Sequence, residues 1–118
     1  MIKQKTEFFL KEKEKLNLLR QRKKEALIKE ARAKAEAVAA LLKTSFSARK
    51  VILFGSLADG AFREGSDIDI FVEGWEGSFW DMYLQAETTA YPFAVNLVCS
   101  EDARPSLLAE IKERGVPL

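Results

Sequence analysis

Residues 3–44 contain neither glycine nor proline and are dominated by Ala, Leu, Lys and Glu, which are strong helix formers. No other feature constrains the fold of this chain as tightly. A helix over that whole stretch would be roughly 63 Å long. The residues left over can make a body with a radius of gyration of only about 11 Å. A single continuous helix must therefore overhang its own domain. Ile28, Ala31, Ala35, Val38 and Leu42 form one apolar stripe at steps of three and four. Phe9, Leu16 and Leu19 suggest a second apolar face upstream, and the wholly polar residues 20–25 interrupt the pattern. One long helix or two helices meeting there would fit. Glu7 with Lys11, Glu25 with Lys29 and Glu30 with Lys34 are i,i+4 pairs in the favourable orientation. An end carrying Phe8, Phe9 and Leu16 needs cover from another copy, from a different protein or from a fold-back near Arg20. The alternative is a solvated arm.

The net charge of +1 conceals an asymmetry: residues 1–50 carry a net +9 and residues 51–118 a net −8. The basic half suits a solvated helix face, an acidic partner or a nucleic acid. Absences narrow the chemistry further. The chain has no histidine, which removes Ser-His-Asp and Cys-His catalysis and histidine-bound zinc. A metal site must then use oxygen ligands, which suit magnesium, manganese or calcium. Cys99 is the only cysteine, so no internal disulfide forms. No window is apolar enough to span a membrane, and no apolar leader follows residues 1–5. Together these features point to the cytoplasm.

The residues after the long helical stretch read as a single small α/β (α+β) domain, giving a helical extension over 1–44 and a domain over 45–118. Residues 44–49 form a loop and 51–54 a short buried strand. Residues 67–72 alternate as a half-buried strand does, which places Asp67 and Asp69 on one face. Residues 78–90 form a helix with Ser78 as N-cap. Residues 93–98 make a third strand, and a last helix has Pro105 in its first turn and Gly115 at its stop. The expected core is a mixed sheet of about three strands flanked by helices. Cys99 reads as a buried apolar residue, and Trp75, Phe79, Trp80 and Tyr83 as packing around the sheet.

The candidate site lies between the first two strands. Gly55 lets the backbone turn sharply and approach a ligand. Ser56 offers a hydroxyl and an N–H to a phosphate oxygen, and a short helix starting there would add its N-terminal dipole. Ten residues beyond that Ser, Asp67 and Asp69 present two carboxylates, a number that suits magnesium completed by water and phosphates. Arg63, in the intervening loop, is either a phosphate contact or a solvated residue.

The order Gly-Ser, ten residues, Asp-x-Asp resembles the minimal nucleotidyltransferase (MNT) family of the DNA polymerase beta-like superfamily. The residues carrying the resemblance are the run 53–60 (Leu-Phe-Gly-Ser-Leu-Ala-Asp-Gly), the run 66–70 (Ser-Asp-Ile-Asp-Ile), the strand at 95–98 and the tail at 111–118. It covers about residues 44–118. It implies a nucleotidyltransferase fold that transfers a nucleoside monophosphate, usually AMP from ATP, to an acceptor hydroxyl. Gly55 and Ser56 would bind phosphate, and Asp67 and Asp69 would hold Mg2+ or Mn2+. Members often pair with HEPN-type proteins in toxin–antitoxin modules, where the MNT protein is the antitoxin and adenylylates a tyrosine of its partner. Two positions depart from the family pattern. Asn96 stands where the third catalytic carboxylate is expected, and Asp59 replaces a basic residue. Glu101 and Asp102, just past the strand, are the candidates to stand in for that carboxylate.

Three functions follow. The first is a metal-dependent nucleotidyltransferase using ATP, with a HEPN-type partner or a second copy docked on the N-terminal helix. The second is a catalytically degenerate relative that acts by binding its partner. The third, led by the basic arm, is a nucleic-acid-binding module.

Overall fold

The computed structural model describes residues 2–118, with side chains from residue 4. The expected lack of an apolar leader at residues 1–5 falls partly outside that range. Helix α1 (Ile2–Ser45) is unbroken and passes through the polar residues 20–25. Those residues lack apolar contacts but are good helix formers, so the backbone ladder continues across them. The 44 residues of α1 should span about 66 Å, and the long axis of the molecule is 70 Å. The radius of gyration is 19.0 Å, against about 13 Å for a compact chain of this length. The overhang is real: every residue from 4 to 26 is exposed except the half-buried Glu12. None of the three i,i+4 pairs noted in the sequence closes. Among the described residues the one ion pair is Lys15 with Glu12 at 3.5 Å. On so exposed a surface such pairs contribute little.

Next come β1 (Lys50–Phe54), the short helix α2 (Gly55–Asp59), β2 (Ile68–Glu73), α3 (Phe79–Ala90), β3 (Val95–Cys99), a 3-10 turn (Ser100–Asp102), α4 (Pro105–Arg114) and β4 (Val116–Pro117). The sheet order is β3-β2-β1-β4, with β2 and β3 parallel and the other pairs antiparallel. The three expected strands are present. The fourth is two residues long and too short to show a period, and it pairs with Ile52 and Leu53.

Alternation along the strands gives the sheet two apolar faces. Val51 and Leu53, Ile68, Ile70 and Val72, and Val95, Leu97 and Cys99 pack against Ala31, Ala35, Val38 and Leu42 of α1 and Met82, Ala86 and Ala90 of α3. The last turns of α1 therefore form a wall of the core. On the other face, Phe54, Phe71, Ile52 and Val98 meet Ile111 and Leu107 of α4. Local signals set the helix ends. Ser78 Oγ accepts the Asp81 N–H at 3.4 Å, Pro105 opens α4, and Gly115 closes it by donating to Ile111 O at 2.8 Å. Among the described residues no helix is long and apolar enough to cross a membrane.

Candidate functional site

The strand register puts the candidate residues in one row. Phe54 of β1 lies opposite Asp69 of β2, which lies opposite Asn96 of β3. Residues directly opposite share a face, here the α4 face that also carries Phe71 and Val98. Asp67, two residues before Asp69, shares that face one step ahead of β2. The chain leaves Phe54 straight into Gly55, whose φ of +73° is open to glycine and strained for other residues. A Cβ at position 55 would collide with Asp69 Oδ2. The turn and the carboxylate thus occupy one place, and only the absence of a side chain lets them meet. Helix α2 follows at once and stops at the left-handed Gly60, whose N–H donates to Ser56 O. Among the described residues the Ser56 hydroxyl makes no hydrogen bond and remains available to a ligand. The loop back to Asp67 is braced by Ser66, which accepts from Arg63 N at 3.2 Å and donates its own N–H to Arg63 O at 3.0 Å.

Asp69 is half-buried. Burial pushes its carboxyl above the usual range, the Asn96 amide opposes that shift, and the charges of Asp67 and Glu110 add to it. Asn96 Nδ2 donates to Asp69 Oδ1 at 3.0 Å. A donor therefore stands where a third negative charge would have repelled Asp69. Asp67 is exposed, and among the described residues its carboxylate has no hydrogen bond or ion pair. No group of three or more Asp, Glu or Cys converges as a metal cage among the described residues. Two carboxylates with an adjacent amide oxygen still fit magnesium or manganese, whose remaining ligands come from water and phosphates.

Glu101 and Asp102 do not stand in for the third carboxylate. Because β2 and β3 run parallel, the site lies at the start of β3, and these residues follow its far end. Three strand residues and Ser100 lie between Asn96 and Glu101, and the strand part alone, from Asn96 to Cys99, spans roughly 10 Å. Glu101 is also engaged elsewhere, accepting from Trp75 Nε1 at 3.2 Å and Ser100 Oγ at 3.0 Å. A carboxylate that sequence reasoning missed is Glu110 of α4, which is exposed and whose charge adds weakly to the shift of Asp69. Its signal was its place on the polar side of the helix that buries Leu107 and Ile111, but nothing local says which strand residues that helix covers. Cys99 is buried, as expected, and burial pushes its thiol up to about 11. Arg63 lines an open groove of about 590 Å3 against α1, with Arg20, Lys23 and Lys24 on the opposite wall.

A family model described as polymerase beta, nucleotidyltransferase matches residues 36–118. The chain belongs to the polymerase beta nucleotidyltransferase family. The same fold and a closer likeness come from a solved structure described as a minimal nucleotidyltransferase. It is 30% identical, with a TM-score of 0.64, over 77% of this chain and 95% of that one. A toxin–antitoxin protein crystallised with AMP-PNP shares the fold at 24% identity, with a TM-score of 0.60, over 70% of each chain. No match was found among curated proteins. The family model begins at residue 36, inside α1, and so takes in part of the stretch of that helix that walls the core and omits the arm.

Proposed function

We propose that this nucleotidyltransferase is metal-dependent and moves a nucleoside monophosphate, with AMP from ATP as the first donor to test, onto a hydroxyl of a partner protein. One observation carries the reading: Gly55 is pressed against Asp69 while Asn96 holds that carboxylate from the other side. That contact brings the Gly55 turn beside the start of β2, where Asp67 and Asp69 share a face. Gly55 and Ser56 would hold phosphate oxygens, and Asp67 and Asp69 would hold Mg2+ or Mn2+. When bound, the ion would offset the negative charge of the triphosphate and orient it. Residues 64–103 contain no Lys or Arg and nine Asp or Glu, so an ion would supply positive charge that this stretch lacks. In the transfer, the acceptor oxygen bonds to the α-phosphorus, the bond to the bridging oxygen breaks, and pyrophosphate leaves with that electron pair. Asn96 cannot take the acceptor's proton, which leaves the carboxylates of Asp67 and Asp69 for that role.

The fold shared with a toxin–antitoxin protein crystallised with AMP-PNP supports an adenine nucleotide as donor and a toxin–antitoxin setting, and a HEPN-type acceptor is what the family resemblance implies. In this reading residues 1–44 are the docking extension and 45–118 the transferase domain, in the cytoplasm. The test is label transfer from α-labelled ATP with Mg2+ to a HEPN-type partner. Transfer should be lost in Asp67→Ala and Asp69→Ala. If no label moves while a tight complex survives both substitutions, the catalytic reading fails. The loss of the third carboxylate at Asn96 would then favour the second reading, a relative that neutralises its partner by binding alone.

A further inference from the structure

We propose that two copies of this chain pair reciprocally, the basic arm of α1 from each lying along the acidic helix α3 of the other. The inference does not depend on nucleotidyl transfer. Two apolar stripes lie exposed on the surface. On the arm, Phe9 (70% exposed) and Leu16 (52%) lie seven residues apart on one face, with Leu19 beside them. On α3, Met82, Ala86 and Ala90 are buried in the core, while Trp80 (69% exposed) and Leu84 (59%) face outward and Tyr91 (75%) continues the row at the C-cap. Apolar side chains aligned in rows mark contact surfaces more than scattered ones do.

Charge selects the occupant. Residues 4–26 carry eight Lys or Arg and four Glu. The stretch 64–103, which includes α3, carries no basic residue, and Asp81 and Glu87 belong to α3 itself. Arm on arm would set net positive against net positive, and α3 on α3 would set acid against acid. Arm on α3 is the one pairing that covers both stripes with opposite charges. It cannot form within one chain. Helix α1 is unbroken, and α3 packs with the core-wall residues of its other half, so the arm points away. A second copy related by a two-fold axis covers both stripes at once and leaves no open end.

Light scattering after size exclusion, from about 1 to about 50 μM, should give twice the 13.3 kDa chain mass. Phe9→Ala with Leu16→Ala, and separately Trp80→Ala with Leu84→Ala, should each weaken the dimer at least about tenfold. All four side chains are exposed, so the melting of the monomer should hold. Mixing the two double variants should recover part of the dimer, because the arm of one still meets the α3 of the other. Raising NaCl from about 0.05 to about 0.5 M should weaken it. A monomer at every concentration, including one that associates only with a different protein, overturns the proposal. So does a dimer that survives Trp80→Ala with Leu84→Ala, since that result means arm-on-arm pairing.

Discussion

At the scale of single residues, the site is a close contact between groups that are unfavourable together. Gly55→Ala would combine a strained φ with a collision at Asp69. It should lower stability by about 1–3 kcal/mol and displace the carboxylate, seen as a lower melting temperature and weaker nucleotide binding. Asp69 carries a second cost. Its pKa is raised, mainly by burial, so whatever this group contributes to stability is fully present below its unfolded value and lost as pH rises through the folded one. Ionised Asp69 therefore burdens the metal-free fold at neutral pH. Asp69→Asn, which keeps the acceptor for Asn96, should raise the melting temperature at pH 7 in chelator. The gain should fade as pH falls through the raised folded value and be gone below the ordinary aspartate value of 3.8. Asn96→Asp should do the reverse. It removes a donor and adds a charge, lowers the melting temperature without metal, and tightens Mn2+ binding by about tenfold in calorimetry.

At the scale of elements, what could be read in the sequence is what local chemistry decides. Ser78, Pro105 and Gly115 mark helix ends through their own hydrogen-bonding capacity and ring constraints, and those ends fall where the residues indicate. The Gly55 turn and the shared face of Asp67 and Asp69 follow from φ freedom and from a period of two. Strand β4 has two residues and exists only through its pairing with β1, so no pattern announces it. The charge of Glu110 is felt at Asp69 only because α4 packs on that face of the sheet, a long-range fact. Glu101 misled because sequence distance past a strand does not say which end of that strand faces the site. One local feature invites correction by design. Ser47, two residues past the end of α1, has a φ of +56°, a conformation that costs a residue bearing a Cβ. Ser47→Gly should raise stability by up to about 1 kcal/mol, measured by urea unfolding.

At the scale of the whole molecule, α1 does two jobs along one axis. Its last turns bury Ala35, Val38 and Leu42 behind the sheet, while residues 4–26 add no buried side chain to the core. A variant beginning at residue 27 should change the unfolding free energy by less than about 1 kcal/mol, because residues 4–26 are exposed or, for Glu12, half-exposed in the monomer. By contrast, Leu42→Ala should cost about 2–5 kcal/mol. Thermal and denaturant unfolding at concentrations low enough to keep the chain monomeric would separate the two.

The unbroken helix also sets a phase. With no hinge between Phe9 and Val38, whatever rests on the arm is held at a fixed rotation about the axis relative to the sheet. One residue inserted within 20–25 would swing Phe9 round by about 100° and carry a docked partner with it, whereas seven would restore the bearing about 10 Å farther out. Spacing in this arm is thus a coordinate: its length can drift by heptads and keep its partner, but not by single residues.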